Sequence, residues 1–305
     1  MTTPIVAIVA PGAMGAGIGK LLASHGVRVL TSLAGRSDAT VARAREAGMV
    51  AASDKEIAAS DFILSILPPG DALALAQRFA PVLAASNTKP VYADCNAINP
   101  ATVERVAAAI APTGCPFVDA GIIGPPPPST AASHTREGRA EVSGPGLSGP
   151  RLSGPRLYAS GAAAARLAGL RQYGLDVRVL DGPLSAASAL KMSYAGINKG
   201  AQAIGAAMML AAMRAGSADA LFDELSFSQK EMLAQFKQQL PKMPAKAYRW
   251  IAEMQEIAGF VADDPAARDL YEGAARFYEQ MADDFSGDQE AAAALERFLM
   301  KDGKR

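Results

Sequence analysis

Two cysteines and two histidines are all the thiol and imidazole that 305 residues hold. Cys95 and Cys115 have no ligand-like spacing, His25 closes the first helical stretch, and His134 lies in a repetitive segment. A metal site or a Ser-His-Asp triad has little to build on. So few cysteines fit a reducing compartment, with two separate thiols expected rather than a bridge. No apolar run reaches the roughly 20 residues that a membrane helix needs. No charge is in excess: Lys+Arg and Asp+Glu number 30 each. Bulk electrostatics therefore offers nothing to nucleic acid or to an acidic membrane. No basic-then-apolar leader precedes the first apolar run, so a cytoplasmic protein is expected. What is abundant is hydrophobic residue, half of the chain, with a fifth charged. That is a globular composition, and the length suits two domains.

The first part of the chain alternates short apolar runs with amphipathic stretches. Strands are expected at 4–10, 27–32, 49–51, 62–66, 91–94 and 116–120, and helices at 12–24, 39–47, 55–59, 71–84 and 100–111, the last with Pro100 in its first turn. Repeated βα units of this length predict a doubly wound, mostly parallel sheet of Rossmann type with right-handed crossovers. Residues 124–156 break the rhythm with GPPPPST and then SGPGLSGPRLSGPRL, a five-residue repeat that has too little apolar surface for a core. Two readings stand for this long mobile loop: a surface insertion, or a lid over a site at the strand ends. Two last strands are expected at 157–160 and 177–180. Beyond 185 the pattern is helical only, at 185–214, 217–238, 241–262, 265–284 and 287–301. The division expected is 1–183 for the sheet domain and 184–305 for an all-α domain.

Residues 4–37 carry the most information. An apolar strand runs into Pro11-Gly12-Ala13-Met14-Gly15 and then a helix. Unpaired N–H groups and the dipole at such a helix start suit a pyrophosphate, and glycine lets phosphate and strand come close. Ala10 stands where the first glycine of G-x-G-x-x-G is usual; the plainer alternative is an ordinary tight βα turn. The second strand ends Val29-Leu30-Thr31-Ser32 with no Asp or Glu for a ribose 2′-OH. Ser32, Arg36 and Ser37 suit a 2′-phosphate instead, which predicts NADP over NAD, unless Arg36 is only a solvated loop residue. Leu67-Pro68 ends the fourth strand, where it can pack on the nucleotide. Asn96 ends the fifth and can serve either a nicotinamide or substrate amide contact or a turn. Asn99 before Pro100 reads as a helix N-cap. On the long helix Ser188, Lys191, Tyr194 and Asn198 are three, three and four apart and share one face. A lysine among Ala, Leu and Met either acts as a general acid or base or snorkels to solvent.

These residues resemble the β-hydroxyacid dehydrogenase superfamily of 3-hydroxyisobutyrate and 6-phosphogluconate dehydrogenases over nearly the whole chain. ADCNAINP, VDAGIIGPPP, LKMSYAGINKG and KAYRWIAEMQEIA are similar to a branch with a helical C-terminal domain of unknown function, DUF1932-like. The resemblance implies cofactor contacts at Gly12, Ala13, Met14, Gly15, Leu67 and Pro68, with Gly35-Arg36-Ser37 in place of an Asn-Arg-Thr-like segment. It puts the family's catalytic lysine on Lys191, within Lys191-Met-Ser-Tyr194-Ala195-Gly196-Ile197-Asn198. The family's substrate-binding Ser-Gly-Gly aligns with Ile123-Gly124-Pro125, its helix asparagine with Ala195, and a family glutamate with Asn198.

The resulting expectation is an NADP-dependent oxidoreductase passing hydride between nicotinamide and a hydroxyl or carbonyl substrate, with the nicotinamide at the domain cleft. Lys191 is the general acid or base, with Tyr194 and Asn198 beside it. Ile123, Gly124, Ser188 and Tyr194 line the substrate. An imine reductase of the same superfamily, or a nucleotide-binding protein without turnover, are the alternatives. Partners are a small molecule and, through the apolar helix at 204–213, a second copy in a homodimer, as is common in the superfamily.

Overall fold

Short β-branched runs separated by amphipathic stretches do build a sheet with helices on both faces. The computed structural model describes residues 3–127 and 154–301. In chain order these form β1 (Ile5–Val9), α1 (Ala13–Ser24), β2 (Arg28–Thr31), α2 (Asp38–Glu46), β3 (Val50–Ala51), α3 (Asp54–Ala58), β4 (Phe62–Ser65), α4 (Ala72–Ala85), β5 (Val91–Asp94), α5 (Pro100–Ile110), β6 (Phe117–Ile123), β7 (Arg156–Ser160), α6 (Ala164–Ala168) and β8 (Asp176–Val179). There follow α7 (Ala186–Arg214), α8 (Ala218–Ser228), α9 (Lys230–Gln239), α10 (Ala247–Phe260), α11 (Pro265–Ser286) and α12 (Glu290–Leu299). The fold is thus a mostly parallel sheet followed by an all-helical region, as the βα rhythm predicts.

The strand order is β3-β2-β1-β4-β5-β6-β7-β8. Order reverses between β1 and β4, and in such sheets ligands bind in the crevice beyond the carboxyl ends at that point. One face is covered by a cluster that includes Ile8, Ile18, Leu22, Val29, Val118 and Leu167. The other holds Val9, Ile57, Ile63, Phe79, Tyr92 and Val103. A strand buried on both faces has no polar alternation, which is why β1 reads as an unbroken apolar run and β4 and β5 as apolar runs up to a final polar residue.

Three expectations change. β6 runs to Ile123, three residues past its expected end, because it pairs antiparallel with β7, Ile123 opposite Arg156. The Pro-Gly-Ser segment therefore falls between two neighbouring antiparallel strands. Most of its repeat, residues 143–153, and His134 lie outside the described residues. The helix expected at 217–238 is two, α8 and α9, broken at Gln229 with φ −134° and ψ 45°; the break lets Phe222 and Phe236 both be buried. The helix expected from 241 opens with two short 3₁₀ turns around Pro241 and Pro244 and becomes α-helical at Ala247. Proline has no N–H to continue an α ladder.

The chain divides into two compact units, 1–191 and 192–305, and the break falls inside α7. In the helical unit the ion pair of half-buried Lys199 with buried Glu253 lies beside Trp250, and Tyr278 donates to the Lys199 carbonyl at 2.6 Å. No described helix is long and apolar enough to cross a membrane. No group of three His, Cys, Asp or Glu among the described residues could hold a metal ion.

Candidate active site

The turn after β1 is shaped by Ala10, which takes the left-handed conformation at φ 67°. Its carbonyl accepts from the Gly12 N–H at 2.8 Å. The same carbonyl would meet a Cβ placed on Gly15 at 2.9 Å, so only glycine fits there. Gly12, the N-cap of α1, has nothing within 4 Å of where a Cβ would stand, and no side chain caps the helix. The start of α1 is therefore open, with backbone N–H groups and the positive end of the helix dipole directed at the crevice. Pro127, past the end of β6, passes close over α1, 2.9 Å from a Cβ placed on Gly17.

At the end of β2, Thr31 and the following Ser32 are buried, and Thr31 Oγ1 has no hydrogen-bond partner. Arg36 and Ser37 are exposed, Ser37 as the N-cap of α2 with its hydroxyl 3.1 Å from that of Thr40. A second guanidinium shares this rim: Arg43 donates to the Pro11 carbonyl at 3.3 Å. Arg78 donates to Ser32 at 3.4 Å and is paired with Asp54.

A polar row crosses the sheet near the carboxyl ends of the parallel strands. Ser65, Asp94, Asp119 and Ser160 are register partners on β4, β5, β6 and β7, and all four are fully buried. Asn96 ties the β4 and β5 ends together. Its amide donates to Ser65 at 2.8 Å and Asp94 at 3.0 Å, its oxygen accepts from the Leu67 N–H, and its own N–H donates to Asp94 at 3.0 Å. Asp119 accepts from the Ser188 N–H at 2.7 Å and the Ser188 hydroxyl at 2.6 Å, which puts a carboxylate on the first turn of α7. Ser160 accepts from the Ala187 N–H at 2.9 Å and donates to the Leu184 carbonyl at 2.7 Å. Burial, against the lowering effect of these hydrogen bonds, pushes Asp94 up to about 7 and Asp119 up to about 6; Asp119 nearby also raises Asp94. Two residues along β6, a Cβ on Gly121 would stand 2.7 Å from the Ala187 carbonyl and 3.1 Å from Lys191 Cβ. Lys191 is thus seated on the backbone of β6, half-buried.

Residues 5–134 match the NAD-binding domain of 6-phosphogluconate dehydrogenase, and residues 212–281 match DUF1932, a domain of unknown function. The chain joins a 6-phosphogluconate dehydrogenase-like NAD-binding domain to a DUF1932 domain. Among solved structures, the conserved protein MTH1747 of unknown function, described as similar to 3-hydroxyacid dehydrogenases, is 26% identical with a TM-score of 0.64, covering 95% of this chain and 98% of its own. A conserved hypothetical protein from Sinorhizobium meliloti 1021 is 21% identical (TM-score 0.64, 97% of each chain). The Mycobacterium tuberculosis 3-hydroxyisobutyrate dehydrogenase with L-serine is 20% identical (TM-score 0.64, 97% and 99%). The last two show the fold alone. No curated protein matches.

Within the NAD-binding domain the structure brings together the glycine turn, the end of β2, Leu67 with Asn96, and the end of β6. Asn96 differs from a free amide contact: both its N–H donors are spent on Ser65 and Asp94. Its position holds the Leu67-Pro68 turn. Ser188 departs further from expectation. Sharing a helical face with Lys191 turned it toward β6, where it is fully buried on Asp119, so it is no substrate-lining hydroxyl. Ile123 is also buried, while Gly124 is exposed at φ 119°. Further along α7, Tyr194 is 45% exposed and Asn198 donates to the Tyr194 carbonyl at 2.9 Å. Asn99 is the N-cap of α5, accepting from Thr102 N–H at 2.9 Å. Sequence reading missed Asp119, Gly121 and Arg43. A partial signal for Asp119 exists in a polar residue set inside an apolar strand, Val118-Asp119-Ala120-Gly121, but its partners become visible only through the strand register.

Proposed function

We propose that the protein is an NADP-dependent oxidoreductase acting between a hydroxyl and a carbonyl, with Lys191 as the proton carrier. The observation that supports this most is the seat of Lys191 on Gly121, at the carboxyl end of β6 and on the sheet rim that also bears the glycine turn. The residues present fit a dinucleotide. The Gly12–Gly15 turn is uncapped and leaves room at Gly12 for an anion. When bound, the nicotinamide supplies the hydride donor or acceptor. Arg36 would hold the 2′-phosphate, with Arg43 beside it and Ser37 within reach; no carboxylate lies between Val29 and Ser37 to repel it.

In oxidation Lys191 Nζ would take the proton from the substrate hydroxyl as negative charge builds on oxygen. In reduction it would return that proton to the carbonyl. Tyr194 and Asn198, one and two turns on along α7, would orient the substrate. Ile123 offers no hydroxyl, Pro125 no N–H and Ala195 no amide for a carboxylate, so anionic 3-hydroxyisobutyrate and 6-phosphogluconate should be poor substrates. Ile204 and Met208, exposed on α7, support pairing of two copies.

The test is Lys191→Met, which keeps length and apolar bulk. Turnover on a panel of hydroxyacids, carbonyls and imines should fall by about 10²–10⁴ while NADPH binding holds. Wild-type turnover by this variant, or NADPH binding by the wild type without turnover across the panel, would overturn the reading. A kcat/KM of about 10⁴ M⁻¹s⁻¹ or more on either named acid would refute the substrate part.

A further inference from the structure

We propose that Asp119 is a positioning residue for Lys191: its carboxylate pins the first turn of α7 to β6, so that Lys191 comes to rest on Gly121. The inference rests on the reading of Lys191 as the proton carrier. A helix start has N–H groups that need acceptors, and most helices find them in a nearby loop. In α7 they come from the sheet. Ser188 gives Asp119 both its N–H and its hydroxyl, at 2.7 and 2.6 Å, and Ala187 gives its N–H to Ser160 at 2.9 Å. Ser160 in turn holds the Leu184 carbonyl at 2.7 Å. These bonds come from two neighbouring strands, so they fix the rotation of the helix about its axis as well as its end.

Rotation is what places Lys191. It is three residues from Ser188, on the same face and about 4.5 Å further along the helix. Gly121 is two residues from Asp119, on the same side of β6 and about 6.6 Å further along the strand. The two steps run side by side, which explains the close seat: a side chain at position 121 would strike the Ala187 carbonyl and Lys191 Cβ. Asp119 holds the helix in register, and Gly121 leaves the gap closed only by backbone. A cap that merely added stability would need neither the second strand nor the glycine.

The test needs no substrate. The full-length protein at pH 8 is treated with limiting acetic anhydride, and labelling of Lys191 relative to exposed Lys20 and Lys55 is read by peptide mass spectrometry. Asp119→Ala should raise relative labelling of Lys191 by about threefold or more, because the freed turn exposes a half-buried amine. Asp119→Asn keeps an acceptor for the Ser188 N–H and should stay within about twofold of wild type. NADPH binding should be unchanged in both. If Asp119→Ala does not fold, Gly121→Ala makes the same point with the cap intact: its methyl should displace Lys191 and raise its labelling likewise. Wild-type labelling in Asp119→Ala or, where that variant does not fold, in Gly121→Ala overturns the proposal, as does an Asp119→Asn that behaves like Asp119→Ala. On any substrate the wild type turns over, Asp119→Ala should lower kcat with KM nearly unchanged. Altered labelling together with full turnover by Lys191→Met would keep the positioning role and remove the catalytic one.

Discussion

Two helices begin on the same rim of the sheet, and they begin in opposite ways. The first turn of α1 has Gly12 at its N-cap, no capping side chain and open space beside it. That of α7 carries a buried carboxylate, Asp119, with Ser160 beside it. Both use the attraction between a helix start and an anion. One leaves the anion to a ligand, and the other builds it into the core. The open start can exchange what it binds. The closed start fixes geometry, and it does so at the expense of burying charge, because Asp119 sits next to Asp94 on the adjoining strand. The difference separates a binding end of the sheet from an anchoring end.

The largest effect should come from that buried charge. Asp94 and Asp119 are raised to about 7 and about 6 from an ordinary 3.8. The folded state therefore holds more protons than the unfolded chain from about pH 4 to 7. Stability from this pair is greatest below about pH 4 and is lost as pH rises from there through the folded values, by about 1.4 kcal/mol per unit and per group at most, levelling off above about pH 7. Urea midpoints at pH 5, 6, 7 and 8 should fall by the equivalent of a few kcal/mol. Asp94→Asn, which mimics the protonated acid, should flatten much of the slope. Wild type with equal midpoints at pH 5 and 8 would mean that the closed start carries no strained charge, and the comparison would lose its basis.

The two starts also differ in how well the sequence reveals them. Gly12 and Gly15 work through their own backbone, next to the strand that precedes them, so a local pattern exposes them. Asn99 and Pro100 are legible for the same reason, as both act within α5. Asp119 acts on Ser188, 69 residues away. Its row with Ser65, Asp94 and Ser160 exists only once four strands are in register. The spacing of Ser188 and Lys191 gives their shared face correctly but not what that face meets. Ser188 consequently reads as a ligand when it is a cap. The break at Gln229 has no proline or glycine to mark it, and only the burial of Phe222 and Phe236 in the folded unit explains it.

A smaller effect sharpens the binding end. If the open start takes the pyrophosphate of NADP, the 2′-phosphate falls to Arg36 at the end of β2. Losing a charge-assisted contact there is worth on the order of 1.5–3 kcal/mol, about ten- to a hundredfold in affinity. Arg36→Ala should weaken NADPH by that factor and NADH hardly at all, as measured by fluorescence titration. Arg43→Ala should produce a weaker loss in the same direction, since its guanidinium is tied to the Pro11 carbonyl. Equal losses for both cofactors, or a wild type that prefers NADH, would sink the assignment.

The smallest effect concerns how the open start is shaped. Ala10 stands at φ 67°, where a Cβ crowds the backbone at a cost of about 1–2 kcal/mol. Glycine relieves that strain but has more freedom to lose on folding, by roughly 0.5–1 kcal/mol. Ala10→Gly should therefore stabilise the protein slightly, by up to ~1 kcal/mol in urea unfolding. The Ala10 carbonyl keeps its bond from Gly12 in either case, so NADPH affinity should change less than threefold. The closed start offers the control, since Gly121→Ala adds a methyl against backbone and should destabilise. If Ala10→Gly instead loosened NADPH tenfold without changing stability, the alanine would be stiffening the turn for its ligand. The open start would then be as rigidly built as the closed one, by strain in place of hydrogen bonds.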